Sequence, residues 1–195
     1  FDENSSLESY LYLFEHTDFL LWTMNSFIIS GFVTLMGVTL ASTSAYALSR
    51  FQFYGREFSM IALITTQMFP ATMLLLPFFI LLSKLSLINS FLGLMVIYSS
   101  TVLPFCIWQM KGFYDTIPIS IEESARLDGC NQFEVFYKII IPLSTPAIVI
   151  TALFSFMSSW SEYVVAAIIL LDPELYTLPL GLKSFQSSLA TEWGL

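Results

Sequence analysis

Four stretches of the chain, about residues 22–48, 58–82, 88–110 and 143–171, are apolar almost throughout. Each reaches the roughly 20 residues that a helix needs to cross the hydrocarbon core of a bilayer. Between the third and fourth lies the longest non-spanning segment, residues 112–142, where Phe133, Phe136, Tyr137 and Ile140 recur at helical spacing. The pattern predicts an all-α, polytopic membrane helical bundle with four complete spans, forming a single transmembrane domain over residues 1–195. Residues 172–183, rich in turn formers, are expected as a loop after the fourth span.

Composition supports the membrane reading. Hydrophobic residues make up 56% of the chain, charged residues only 11%, and the mean hydropathy is +0.74. A soluble domain carries about 25% charged residues, so this chain has too few to wet its surface. The first span holds no charged residue and is rich in small ones, such as Ser30, Gly31, Ala41, Ser42, Thr43, Ser44 and Ala45. Small residues let helices approach closely in lipid, where packing drives association, although they also serve simply as helix filler. Pro70, Pro77 and Pro104 fall inside spans, where each removes a backbone donor and is expected to kink the helix. Such breaks persist where protein or a wet cavity satisfies the freed carbonyls.

Charge distribution gives an orientation. Arg50 and Arg56 lie between the first two spans, and Lys111, Arg126 and Lys138 between the third and fourth. Two spans separate these loops, so five of the seven Lys and Arg share one side, which the positive-inside rule makes cytoplasmic. Lys84 and Lys183 lie on the other side, with the acidic start Asp2, Glu3, Glu8, Glu15 and Asp18. The N-terminal segment and residues 172–183 are thus expected outside. Trp22 and Trp108, near span ends, are candidate interfacial anchors.

Within the cytoplasmic segment, Ser120 and Glu123 have the spacing of a capping box. The helix they begin is expected to run through Leu127 and stop near Gly129, a residue able to take the left-handed conformation that ends helices. Asn131 and Glu134 repeat the signature and start a second helix, and Pro142 and Pro146 mark its junction with the fourth span. The expectation is two short helices with an elbow at Gly129, presenting an acidic and apolar face of the kind used for docking.

The residues Glu123, Ser124, Ala125, Gly129, Ile139, Ile141 and Pro142 resemble the loop motif of binding-protein-dependent ABC importer permeases. That pattern runs Glu-Ala-Ala, three residues, Gly, nine residues, then Ile-x-Leu-Pro. Ser124 stands for the second Ala and Ile141 for Leu, with the spacing kept. The resemblance extends to Asn25 and Ser26, to residues 45–51 with Gly55 and Arg56, to residues 67–71 and 107–113, and to residues 176–179. It is strongest to the smaller permease subunits of maltose and maltodextrin importers. It implies the type I importer permease fold and a coupling helix that fits a groove in an ATP-hydrolysing subunit, with Glu123 paired to a basic residue there. It also implies a second permease subunit, two ATP-binding subunits carrying ATP and Mg, and an extracytoplasmic solute-binding protein. The implied role is passage of a maltose- or maltodextrin-type sugar by alternating access, or of another disaccharide, a glycerol phosphate or a polyol. A passive channel or a membrane scaffold are further alternatives. Neither a catalytic role nor a nucleic-acid partner is expected, and no Walker A pattern occurs. Six spans in that subunit type imply a longer chain than the one read here. Its first residue is Phe1, and residues 191–195 read as the start of a further apolar segment.

Glu162 is the one carboxylate inside an expected span. A charge near the bilayer centre costs at least about 2.5–3.5 kcal/mol, so it must face a cavity or a polar partner. It could line a sugar path with Trp160 or Tyr163 stacking on a ring, or it could be protonated or hydrogen-bonded between helices. By resemblance, Pro173, Tyr176, Leu178 and Pro179 belong to a loop that contacts the binding protein. The single histidine, His16, has no second histidine to complete a metal site, and Cys106 and Cys130 form no metal-spacing pattern.

Overall fold

The computed structural model of the chain describes residues 13–185, the side chain of Ala71 excepted. Asp2, Glu3, Glu8 and residues 191–195 lie outside the described residues. Among the described residues every regular element is helical: α1 (Phe19–Arg50), α2 (Arg56–Thr66), α3 (Ala71–Lys84), α4 (Phe91–Thr116), α5 (Ile119–Leu127), α6 (Gln132–Leu143), α7 (Thr145–Trp160), α8 (Val164–Ile169) and α9 (Leu178–Ser184). A 3₁₀ turn, Pro173–Leu175, lies between α8 and α9.

Two of the four expected spans are continuous helices. At 32 residues α1 is roughly 48 Å long, well beyond the hydrocarbon thickness of about 30 Å, and α4 has 26 residues. The other two expected spans are interrupted. The stretch 58–82 divides into α2 and α3 around residues 67–70, because Pro70 holds φ at −63° in extended backbone and disfavours a helical Phe69 before it. The stretch 143–171 divides into α7 and α8 around Ser161, Glu162 and Tyr163. Pro77 and Pro104, by contrast, are carried inside α3 and α4 without ending them. Near Pro104, whose missing N–H would have served the Ser100 carbonyl, Gln67 Nε2 donates to the adjacent Thr101 carbonyl at 3.1 Å.

The core forms where α1, α4 and α7 pack together. Along α1, the buried residues Trp22, Ser26, Ile29, Val33, Gly37, Ala41, Ala45 and Leu48 recur every three or four positions. On α7 the buried positions are Ala147, Thr151, Ser155 and Ser159, four residues apart and all small. Gly37 faces this stripe so closely that a Cβ there would sit 2.7 Å from Ser155 Oγ. The small residues of the first span are therefore packing residues for the most part, as in small-xxx-small contacts. Gly31 is exposed, and a Cβ added there would meet nothing within 4 Å. Polar links stitch the same layer: Thr151 Oγ1 donates to Gln109 Oε1 at 3.1 Å, and Cys106 Sγ lies 3.3 Å from Ser155 Oγ.

Both ends of α1 are anchored. At its start, Trp22 is 5% exposed and its Nε1 donates to the Pro173 carbonyl at 3.0 Å. The expected interfacial role of Trp22 is thus replaced by a packing role under the 172–184 segment, while Trp108 is half exposed, as an anchor would be. At its far end, Arg50 enters the network described next. Twenty-eight residues separate Trp22 from Arg50, about 42 Å along the helix.

Candidate coupling loop and solute path

The chain leaves α4 through Ile117 and Pro118, both extended, and α5 begins at Ile119. Pro118 occupies the N-cap position, so Ser120 already lies inside the first turn and makes no cap. The expected capping box of Ser120 and Glu123 is not formed. Ser120 instead offers its carbonyl to Ser124 Oγ at 2.9 Å. Glu123 is exposed and is left without a side-chain partner among the described residues.

The neighbouring Glu122 has the opposite fate. It lies on the inward face of α5 with Ala125 and is 1% exposed. Arg50 Nε donates to its Oε1, and Tyr46 Oη donates to its Oε2 at 2.8 Å. Arg126 Nη2 stands 3.8 Å from the same carboxylate. Arg50 also donates through Nη2 to the Ile117 carbonyl at 2.9 Å, and Gln132 Nε2 donates to Tyr46 Oη at 2.5 Å. The carboxylate thus ties α5 to the end of α1, and through Arg50 and Tyr46 the same network reaches the end of α4 and the start of α6. A buried charge is tolerated only when paired and hydrogen-bonded, and this one meets both conditions.

Past α5, Gly129 takes φ +93°. Cys130 N donates to the Ala125 carbonyl and Gly129 N to the Arg126 carbonyl, each at 3.0 Å. These are the two bonds of a Schellman motif, so the elbow has the geometry that favours glycine. The second capping box forms as expected: Glu134 N donates to Asn131 Oδ1 at 3.0 Å and Asn131 N to Glu134 Oε2 at 2.9 Å. The hydrogen bond from Lys138, followed by that from the Asn131 N–H, holds the Glu134 carboxyl below its usual value. α6 passes through a π-helical stretch, Phe136–Ile140, and meets α7 at a 76° bend at Ser144, between Pro142 and Pro146.

The motif residues divide by exposure. Glu123, Ser124, Gly129 and Pro142 face out, Ile139 and Ile141 are half-buried, and Ala125 packs inward. Ile140, between the last two, is fully buried and anchors the unit. The same two helices also expose Leu127 at 90%, Phe133 at 85% and Tyr137 at 74%. The two aromatics were expected on this helix as part of its apolar repeat. They project, whereas Phe136 and Ile140 pack.

At the other end of α1, residues 172–184 are held closely. Asn25 Nδ2 donates to the Glu174 and Tyr176 carbonyls at 2.9 and 3.0 Å, and Leu178 N donates to Ser26 Oγ at 2.7 Å. Asn89 Oδ1 accepts from Leu171 N and Asp172 N at 2.9 and 3.0 Å. Pro173 is exposed, but Tyr176, Leu178 and Pro179 are half-buried.

Glu162 is engaged by protein. Tyr98 Oη donates to its Oε2 at 2.7 Å, and Val165 N and Ala166 N donate to the carboxylate at 3.0–3.3 Å. It caps the first turn of α8 where the broken span resumes. Trp160 packs on Phe156 and Phe27, with ring centroids 5.4 and 4.7 Å apart, and Tyr163 is half-buried. Two cavities lie elsewhere, at the break between α2 and α3. One of about 360 Å³ is lined by Thr66, Gln67, Phe69, Phe78, Ser100 and Thr101 among others. The second, about 240 Å³, is lined by Ile64, Gln67, Pro104, Phe105 and Trp108. Gln67 borders both.

Long and interrupted apolar helices around a small-residue core, with a two-helix unit locked to one end of the longest, define a helical membrane protein. The family described as binding-protein-dependent transport system inner membrane component matches residues 18–194, and the chain belongs to it. It is 33% identical over 188 residues to the maltodextrin transport system permease protein MdxG of Bacillus subtilis, covering 96% of this chain and 68% of that protein. It is 36% identical over 168 residues to the galactooligosaccharides transport system permease protein GanQ of the same organism, covering 86% of this chain and 59% of that one. In a crystal structure of a bacterial ABC transporter involved in the import of the acidic polysaccharide alginate, one chain superposes with a TM-score of 0.84 at 27% identity. That match covers 95% of this chain and 65% of the other. The chain thus spans roughly two thirds or less of its relatives' length. Membership places it in the inner membrane as a multi-pass protein.

Proposed function

We propose that the chain is a permease subunit of an ATP-driven sugar importer, and that α5 and α6 are its docking unit for an ATP-hydrolysing subunit. The observation that carries this reading is the division of labour between adjacent carboxylates. Glu122 is buried and fixes the unit to α1, while Glu123 is exposed and available to a partner's basic residue. Exposed apolar side chains on the same unit, Leu127, Phe133 and Tyr137, give such a partner area to cover. The other members of the assembly would be a second permease subunit, two ATP-binding subunits carrying ATP and Mg, and an extracytoplasmic solute-binding protein. Closure of the ATPase pair would move α5 and α6 as one body and, through Arg50 and the Ser144 bend, tilt α1 and α7. This is coupling through a two-state element. The 172–184 segment, about 42 Å away along α1, would then face the binding protein from outside, presenting Pro173 and the edge formed by Tyr176, Leu178 and Pro179. A maltodextrin is the first solute to try, since relatives are named for maltodextrin, galactooligosaccharide and diacetylchitobiose transport.

Copurification tests the docking role. Glu123→Lys should abolish recovery of the ATPase subunit with the chain while leaving the chain's own yield and thermal midpoint unchanged. Normal recovery with Glu123→Lys would refute it.

A further inference from the structure

Sequence pattern directs attention to Glu162 as the solute contact, but its carboxylate is already shared among Tyr98 and two backbone N–H groups. The break between α2 and α3 has the complementary character. Gln67 lies eleven residues beyond Arg56, about 16 Å along α2, roughly half the hydrocarbon thickness. Non-helical backbone at that depth is tolerated only where protein buries it or where it lines a water-filled cavity. Gln67, Phe69 and Pro70 are exposed on this chain, and two cavities adjoin them.

The chemistry of the lining is specific. Thr66, Ser100 and Thr101 each donate their hydroxyl proton to a backbone carbonyl of their own helix, at 2.7–2.9 Å. Each oxygen therefore keeps its lone pairs as acceptors. Gln67 spends Nε2 on the Thr101 carbonyl, and its Oε1 accepts from no described residue. The site is thus rich in acceptors, and Phe69, Phe78, Phe105 and Trp108 supply aromatic faces beside them. No Lys or Arg lines either cavity. Acceptors with aromatic faces suit a ligand that offers many hydroxyl donors and apolar ring faces, and they give an anion no cation to pair with. From Ser100 to Trp108 the lining extends over eight residues of α4, about 12 Å, long enough for more than one sugar ring.

We propose that the break between α2 and α3, centred on Gln67, is a subsite for a neutral oligosaccharide on this chain itself, one that discriminates against uronates. The proposal rests on the sugar-import reading and names the class of sugar.

The test uses the assembled transporter, with its ATPase and binding-protein partners, carrying Ser100→Cys on a Cys130→Ser background; Cys106 is buried. Maleimide labelling at position 100 is followed with maltotriose or with a triuronate of equal length. Maltotriose at about ten times its half-protecting concentration should slow labelling about tenfold, and the triuronate should not slow it. Gln67→Leu should raise the half-protecting concentration of maltotriose about three- to tenfold. Equal protection by both sugars would overturn the neutral class. No protection in a complex that still imports maltotriose would overturn the subsite while sparing the import reading. A complex that imports neither sugar would bring down the import reading and the subsite with it.

Discussion

Replacing Glu122 by alanine leaves the Arg50 guanidinium, whose side chain is 7% exposed, beside an empty space in the middle of four segments. Removing one partner of a buried ion pair costs about 3–5 kcal/mol, because the remaining charge keeps its desolvation penalty and loses its compensation. Tyr46 loses its acceptor at the same time. For a chain of this size such a loss lowers the thermal midpoint by roughly 10 °C. Glu122→Gln should cost less, since its amide oxygen can still accept from Arg50, although its NH2 then faces Tyr46. Replacing both partners with apolar residues, Arg50→Met with Glu122→Leu, should recover most of the loss, because no charge is then stranded. The assay is the apparent melting temperature of the purified membrane complex for the two singles, Arg50→Met and Glu122→Leu, and the double variant, analysed as a double-mutant cycle. If the single losses simply add in the double variant, the carboxylate and the guanidinium are not coupled and the lock does not exist.

Two further outcomes follow from the packing. In Gly181→Ala the new Cβ would come within 2.1 Å of the Trp22 ring, which is buried and held by Pro173. An overpacking cost of about 1–3 kcal/mol is expected, read as a drop in melting temperature; an unchanged midpoint would mean that α9 shifts freely on α1. Glu162→Gln should retain transport, since an amide oxygen can still accept from Tyr98 and the α8 N–H groups, whereas Glu162→Ala should lose about 1 kcal/mol of stability with the cap. A Gln variant that melts normally but fails to transport would return Glu162 to the solute path.

How far the fold could be read from the sequence depended on whether a feature was local. The continuous spans α1 and α4 are visible because a run of apolar residues is a local property. So is the elbow, since Gly129 and the Asn131 with Glu134 box act within a few residues of each other. The Ser120 box failed because Pro118 starts the helix earlier, a competition between two adjacent signals that spacing alone does not resolve. A hydropathy window runs smoothly across Ser161, so the interruption of the fourth expected span was hidden, whereas Pro70 already marked the place where the second is broken. Glu122 was invisible for a different reason: its partner lies 72 residues away. Arg50 at the end of an apolar span, one turn after Tyr46, was the available hint, because a cation placed there needs a carboxylate. The identity of Glu123 as the outward acid came from the resemblance, and its exposure became visible only once the Ser120 cap was seen to be missing.

The α5–α6 unit is expected to meet an ATPase subunit, and the opposite end of α1 is not. On a Cys130→Ser background, with Cys106 buried, Leu127→Cys and Leu182→Cys, positions 90% and 42% exposed at the two ends, can be joined to partners by a short bifunctional thiol reagent in native membranes. The predicted result is a cross-link to the ATP-hydrolysing subunit from position 127 and none from position 182. A link to that subunit from position 182, or its absence at 127 in a complex that still hydrolyses ATP during uptake, would contradict the account.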